Sequence, residues 1–303
     1  MENEKRNMHR HGHHHGHKHG KHERRNSSLN TFKRIFITPS AKFGGIILLL
    51  ILILTIFAPV LTPYSPTAVN LKQMYMEPCS QHWFGTDAMG RDIYSRILYG
   101  AKYSLALGLL AAILGNAIGI VLGSIAGYFG GQVENIIMRI CDIWSSIPGQ
   151  LMTLLLAASL GPGFVTTIVA MSIGGWPGGC RMLRAQIMGE RGKEYLEACE
   201  SFNCPKGIIM FKHILPNVIS PMIVTITMQI GGGITAAAGL SYLGLGVQPP
   251  TPEWGALLSD AVSVMQSHPY MILFPGVAIG LVVFGFNLIG DGLRDALDPK
   301  LRN

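Results

Sequence analysis

The sequence predicts an all-α membrane protein with six transmembrane helices, and three observations support this. Only 14% of the 303 residues are charged and 49% are hydrophobic, whereas an ordinary soluble domain carries about 25% charged residues. Five long stretches contain no Asp, Glu, Lys or Arg, and most basic residues lie in the segments between them. Because so few charges cannot cover a water-soluble protein of this length, we expect the outer surface to face lipid.

The five uncharged stretches set the number and order of the spans. A membrane helix needs about 20 mostly apolar residues, and the first two stretches each hold one, at residues 43–60 and 104–128. The third stretch is long enough for two, with a turn at Gly161-Pro162-Gly163. The last two hold one span each, starting near Val218 and Tyr270. The stretches cover residues 43–71, 103–133, 143–180, 214–252 and 261–290.

Basic residues predict the orientation of these spans. If the N-terminus is cytoplasmic, the inner segments hold 20 of the 24 Lys and Arg residues, as the excess of basic residues on the cytoplasmic side requires. The first span is expected to remain as an anchor, because its polar leader is some forty residues long and Ala58-Pro59 offers no cleavage site. We therefore expect a multi-pass protein with both termini cytoplasmic.

Small residues recur every four positions along the second span. They are Ala111, Gly115, Gly119, Gly123 and Gly127. This spacing places them on one helical face, where they allow a neighbouring helix to approach closely. A packing seam is favoured over a pore lining.

Several function classes are disfavoured by what the spans lack. They carry no Asp, Glu or Lys, although ion-coupled carriers usually keep such residues at membrane depth. The Gly-Lys dipeptides at Gly20 and Gly192 lack the rest of a nucleotide-binding loop. Metalloprotease or paired-aspartate motifs of an intramembrane enzyme are missing. Nucleic acid is not expected either, because ten of the 24 basic residues lie in residues 1–42.

The inner segment at 190–217 predicts a short exposed helix. Tyr195, Leu196, Cys199 and Phe202 recur at helical spacing, with glutamates on the other faces. Asn203 and Pro205 end this helix, and a second helical run leads to Leu215-Pro216. An exposed helix of this kind can dock into a partner's groove.

Residues in this segment resemble the EAA motif of membrane subunits of ABC importers. That motif reads Glu-Ala-Ala, three residues, Gly, nine residues, Ile, one residue, Leu-Pro. Glu197 and Ala198 match it at the same spacing, whereas Cys199, Asn203 and His213 replace Ala, Gly and Ile. Asn is the second choice where the backbone freedom of Gly is needed.

Three further segments resemble dipeptide, oligopeptide and nickel permeases of that class. Residues 85–96 resemble GTDxxGRDxxSR, residues 241–255 resemble the segment after the fifth span, and residues 287–295 resemble the C-terminal end. The resemblance covers residues 40–303 in order. It implies the binding-protein-dependent permease fold in a bacterial or archaeal inner membrane.

The resemblance also implies the partners of this chain. They are a second, similar permease, two cytoplasmic ATPases that use ATP and Mg, an extracellular binding protein and membrane lipid. The chain itself is expected to bind no cofactor and to be no enzyme. By carry-over from the motif, the residues that couple it to the ATPases are Glu197, Ala198, Cys199, Asn203 and Gly207.

Charged pairs predict an amphipathic helix on the outer face. Asp87 with Arg91, and Asp92 with Arg96, are spaced four residues apart, with Thr86 or Asp87 as the N-cap. A scaffold role is favoured over contact with the binding protein. This helix and the first span define a region at residues 35–100, followed by a core domain at 101–303 that contains the 190–217 loop.

A histidine-rich cytoplasmic tail at residues 1–34 is expected to be disordered and is a candidate metal-binding segment. Neutral imidazole binds nickel, zinc and cobalt, although incidental binding by a basic tail is slightly favoured. Small peptides are the first substrate prediction, and nickel or a nickel chelate is the alternative. A stand-alone metal carrier is a third reading, but it needs ligands inside the spans. The eight candidate ligands are His9, His11, His13, His14, His15, His17, His19 and His22.

Overall fold

A computed structural model describes residues 38–202 and 204–297, and these residues are mostly helical. A 3₁₀ turn at Leu71–Gln73 precedes the third helix, and a π-helical segment at Ile209–Ile214 joins the eighth helix to the ninth. The helices are α1 (Pro39–Ile56), α2 (Ala58–Leu61), α3 (Ile93–Phe129), α4 (Gly131–Ser145), α5 (Gly149–Leu160), α6 (Phe164–Arg191), α7 (Glu194–Ser201), α8 (Lys206–Ile208), α9 (Leu215–Tyr242), α10 (Trp254–Val262) and α11 (Tyr270–Leu297).

Length and composition support four or five of the six predicted spans. Within the described residues, α1, α3, the continuous run Lys206–Tyr242 and α11 are long and apolar enough to cross a membrane. The pair α4 and α5 would make a fifth span, although it is bent by 80° at a short break. Helix α6 has 28 residues, but its second half carries Arg181, Arg184, Glu190 and Arg191, which lower its hydropathy.

The predicted packing seam is confirmed as the contact between α3 and α6. A Cβ atom added at Gly119 would lie 2.8 Å from the backbone nitrogen of Cys180 and from the carbonyl oxygen of Trp176. One added at Gly123 would lie 2.6 Å from the carbonyl oxygen of Cys180. Because these neighbours are backbone atoms, a larger residue would force the two helices apart.

The remaining helices pack around this pair in an order that differs from the chain order. Helix α9 contacts α3, α6 and α11, while α1 packs on α11 and α5 packs on α6. Close approach again depends on small residues, because a Cβ at Gly44 of α1 would lie 2.7 Å from the carbonyl oxygen of Gly285 in α11. The short helix α10 lies against α9 and α11.

The predicted amphipathic helix on the outer face is wrong. Residues 62–92 form turns around the 3₁₀ segment, and the next helix begins only at Ile93. Its N-cap is Asp92, whose carboxylate accepts a 2.7 Å hydrogen bond from the backbone N–H of Ser95. Gly90 has φ of 68° and packs against Asn70, so the left-handed backbone there prevents an earlier helix start.

Helix α3 is longer than the hydrocarbon core of a membrane is thick. Its 37 residues span about 55 Å at a rise of about 1.5 Å per residue, against a hydrocarbon core of about 30 Å.

Two tryptophans near the ends of the uncharged stretches are buried. Trp254 is 1% exposed, and its indole N–H donates a 2.9 Å hydrogen bond to the carbonyl of Ile97. Trp176 is 6% exposed and packs beside Trp144. The segment around Trp254 therefore folds back onto α3.

Candidate functional site at the α7 surface and the opposite end

Helix α7 is held to the bundle by one apolar side chain. Leu196 is 2% exposed and belongs to a buried cluster. Its other members include Leu183 and Ile187 of α6, Ile214 of the π-helical segment and Val218 of α9. This cluster explains why a helix of only eight residues is ordered, since short helices depend on tertiary packing.

A polar clamp fixes the start of α7. The Tyr195 hydroxyl donates a 2.6 Å hydrogen bond to the Glu190 carboxylate and accepts a 3.2 Å bond from the Asn217 amide. Lys193 pairs with Glu190 as well. Partial burial and the bond to Glu190 raise the pKa of Tyr195, so its hydroxyl keeps its proton and remains a donor at neutral pH.

The opposite face of α7 is free of contacts with the bundle. Its exposed residues are three and four positions apart and therefore share one side of the helix. Phe202, directly after α7, is 84% exposed. We call this set the α7 surface; its members are Glu194, Glu197, Ala198, Ser201 and Phe202.

The predicted coupling residues within the described part of the chain differ in their exposure. Glu197 and Ala198 lie on the α7 surface, and Gly207 is exposed on α8. Cys199 is half-buried and packs against the Leu196 cluster. Asn203 and the histidine tail, His9 to His22, lie outside the described residues. Phe202 was not predicted as a coupling residue, although a large aromatic residue at the end of a short exposed helix is a pattern that could have indicated one.

Ion pairs between α4 and α6 brace the end of the bundle that carries α7. Arg184 pairs with Glu134, and Arg181 contacts Asp142 at 3.0 Å. The Arg191 guanidinium reaches the carbonyl of Gly127 at the end of α3 at 3.5 Å. These contacts tie α6 to α4 and to the end of α3.

Buried charges occupy the opposite end of the bundle. The predicted pair of Asp87 and Arg91 is confirmed at 2.6 Å. Arg96 is 1% exposed and faces Asp87 at 3.5 Å and Asp260 of α10 at 3.9 Å, rather than the predicted Asp92. The two arginines thus lie between Asp87, in the loop before α3, and the partly exposed Asp260 of α10, so both carboxylates balance their charge.

Asp92 pairs with a histidine for which the sequence indicated no partner. Its carboxylate lies 2.9 Å from Nδ1 of His82, whose ring also packs on Tyr64. The same carboxylate caps α3. His268, also unassigned in the sequence, stacks on Tyr75. Both histidines therefore have packing roles.

A further buried acid, Glu253, was not predicted from the sequence. Glu253 is 1% exposed and caps α10, accepting 2.9 Å bonds from the backbone N–H groups of Gly255 and Ala256. The Ser104 hydroxyl of α3 donates to the same carboxylate at 2.9 Å. These bonds hold the segment after α9 against α3. The proline-rich sequence of this segment did not predict the contact.

The two acids that face the arginines differ in their setting. Asp87 is 3% exposed and accepts from the backbone N–H groups of Met89 and Arg91, so its negative charge is well compensated. Burial raises the pKa of Asp260, and Arg96 and Arg91 offset this only in part. Because the folded protein holds this proton more tightly than the unfolded chain does, the free energy of unfolding falls as pH rises from the ordinary pKa of Asp to the raised one.

The described residues contain no group of three or more His, Cys, Asp or Glu side chains that could hold a metal ion. One end of the bundle thus carries a short exposed helix, and the other end carries buried ion pairs and helix caps.

The chain belongs to the family described as binding-protein-dependent transport system inner membrane component, which its residues 119–303 match. Residues 30–78 match the N-terminal TM domain of oligopeptide transport permease C. The predicted resemblance to peptide permeases is confirmed by these matches and by curated relatives.

Three relatives illustrate the similarity. The dipeptide transport system permease protein DppC of Alkalihalophilus pseudofirmus is 43% identical over 90% of both chains. The oligopeptide transport system permease protein OppC of Bacillus subtilis is 42% identical over 86% of both. The glutathione transport system permease protein GsiD of Pectobacterium atrosepticum is 43% identical over 86% of this chain and 87% of its own.

A solved structure shares the fold. An inward-facing conformation of the MetNI methionine ABC transporter matches with a TM-score of 0.56 at 18% identity, covering 68% of this chain and 98% of that chain.

We predict that the two acids that face the arginines contribute unequally to the free energy of unfolding. Asp87→Asn removes a buried charge from two arginines and should lower the free energy of unfolding by about 3–5 kcal/mol. Asp260→Asn, the matched control, should change the free energy of unfolding by less than about 1 kcal/mol at pH 7.5. For this carboxylate, the cost of burial offsets most of its attraction to the two arginines. The thermal unfolding midpoint of the purified complex in detergent measures both, and equal losses would contradict this assignment.

Proposed function

We propose that this chain is the membrane-spanning permease subunit of an ATP-driven importer of small peptides. The observation that carries the proposal is the similarity over 90% of the chain to a permease named for dipeptide transport. Other relatives are named for oligopeptide and glutathione transport. Peptides, including glutathione, share an amide backbone, so these names favour a peptide substrate over nickel or a nickel chelate.

The proposed topology has six spans with both termini cytoplasmic, and α6 is the span that composition alone does not support. Helix contacts support this orientation. Gly231 of α9 lies beside Val283 of α11, and Gly290 lies beside Met228, so the two helices run antiparallel. Gly292 lies beside Ala41 of α1. The start of α1 and the end of α11 therefore lie at the same end of the bundle as α7.

In the proposed mechanism the α7 surface receives the motion of a partner ATPase. This chain binds no ATP itself in the proposal, and two partner ATPases use ATP and Mg. Closure of the ATPases moves α7, and the Leu196 cluster passes that motion to α6 and α9. Because α6 and α3 are in backbone contact along the seam, they move together and open the pathway towards the opposite end.

The other partners follow from the same assignment. A second permease completes the pathway, and an extracellular binding protein delivers peptide to the end that carries Arg91 and Arg96. The division into a tail at 1–34, a region at 35–100 and a core at 101–303 is part of this proposal, as is location in a bacterial or archaeal inner membrane. Metal binding by the tail remains a prediction.

Deletion of the gene tests the substrate. Cells without this chain should lose uptake of a labelled dipeptide and keep their nickel-dependent enzyme activity, since the relatives' names point to peptides. A plasmid copy of the gene should restore uptake. Retained dipeptide uptake together with lost nickel-dependent activity would overturn the peptide assignment.

Substitutions on the α7 surface test the docking assignment. Phe202→Ser and Glu197→Ala should reduce both dipeptide uptake and co-purification of the ATPase, because both side chains are exposed and available to a partner. Neither should lower the thermal unfolding midpoint. Trp83→Ser, which changes a 60% exposed aromatic at the opposite end, is the control and should leave co-purification unchanged. Undiminished co-purification of the ATPase with both α7 variants would refute the docking surface.

A further inference from the structure

Two cysteines meet at the end of α7, and neither is used by the proposed docking surface. Cys199 and Cys204 are both free and half-buried. Both side chains pack against the Leu196 cluster. One thiol lies on α7 and the other lies directly before the helical run that leads to α9.

Backbone geometry brings these two side chains together. The N–H of Cys204 donates a 3.0 Å hydrogen bond to the carbonyl of Cys199, five residues earlier. A 6→1 bond of this kind occurs at helix ends, where the two residues that it joins commonly make a side-chain contact. Elsewhere these two positions hold hydrophobic residues, whereas here they hold two cysteines.

We propose that Cys199 and Cys204 form an oxidisable dithiol whose disulfide weakens transmission from the ATPase to the spans. The second half of this statement rests on the proposed function. The oxidant class is a low-molecular-weight disulfide such as oxidised glutathione. The formation of the internal disulfide itself can be detected whether or not the chain transports peptides.

The reaction is a two-step thiol–disulfide exchange. One protein thiol loses its proton and attacks a sulfur of the small disulfide, which releases one small thiolate and leaves a mixed disulfide. The second protein thiol then attacks the protein-side sulfur, forms the Cys199–Cys204 bond and releases the other small thiol. Two protein thiols have lost two electrons and two protons, and the small disulfide has become two thiols.

The environment sets the rate of this exchange. Partial burial and the neighbouring Cys204 thiol raise the pKa of Cys199, which leaves little reactive thiolate at neutral pH. Oxidation should therefore become faster as the pH rises towards the raised pKa, because only the thiolate attacks.

A disulfide at this position would stiffen the turn that follows the α7 surface. Glu197 and Ala198 lie two residues and one residue before Cys199, and Cys204 leads into α8, the π-helical segment and α9. A covalent bond across the turn would fix α7 relative to this run. If α7 must tilt when the ATPases close, the oxidised form couples poorly.

The chain offers an internal control for thiol chemistry. Cys141 of α4 and Cys180 of α6 also belong to one cluster, but both are 0% exposed. A small disulfide cannot reach them without unfolding. The two pairs therefore each pack within a single cluster and differ in access to solvent.

Oxidised glutathione applied to the purified complex tests the site. After alkylation and digestion, mass spectrometry should find Cys199 and Cys204 joined in a peptide that is two hydrogens lighter, with Cys141 and Cys180 still alkylated after denaturation. Dithiothreitol should reverse the bond. A stable glutathione adduct on either cysteine alone, or no reaction at this pair, would overturn the dithiol.

Uptake of labelled dipeptide into proteoliposomes tests the consequence. Oxidation should lower wild-type uptake several-fold, with recovery in dithiothreitol. Cys204→Ala, at a position outside the predicted coupling residues, should transport like the reduced wild type and resist the oxidant, whereas Cys79→Ser should remain sensitive. Undiminished uptake by protein in which the disulfide has been mapped would overturn the coupling claim. If even the reduced complex imports no peptide, the proposed function fails while the disulfide mapping still decides the dithiol.

Discussion

The backbone contact between α3 and α6 is the interaction on which the rest of the structure depends. Apolar side chains gain little by leaving lipid for another helix, so association in a membrane relies on close packing. Glycine at positions 119 and 123 allows the two helices to touch along their backbones. Because α3 begins at the buried charges and α6 ends at α7, this contact fixes the distance between the two ends of the molecule.

Each end uses a different means of attachment to the seam. At one end, Arg96 and Glu253 bind α10 and its preceding segment to α3 through buried charges and caps. At the other end, Leu196 and the Tyr195 clamp hold α7 to α6 and α9. In the proposed mechanism, this apolar packing with few polar ties lets the short helix transmit force while its outer face stays available to a partner.

The sequence predicted the features that depend on periodicity and missed those that depend on distant contacts. Uncharged stretches located the spans, and a four-residue repeat located the seam, because both are local patterns. The start of α3 was misplaced because the cap at Asp92 depends on a folded loop and on His82. Pairing of Arg96 with Asp260 joins residues far apart in the chain, so spacing alone favoured Asp92. The α7 helix was predicted, but its clamp by Asn217 was not.

The central claim is that the two ends lie on opposite sides of a membrane, with α7 inside. Labelling of single-cysteine variants in intact cells with a membrane-impermeant maleimide tests it directly. Cys79, exposed at the end with the buried charges, should react in intact cells. Lys193→Cys, at an exposed position beside α7, should react only after permeabilisation. Labelling of both sites in intact cells, or of Lys193→Cys alone, would contradict the account.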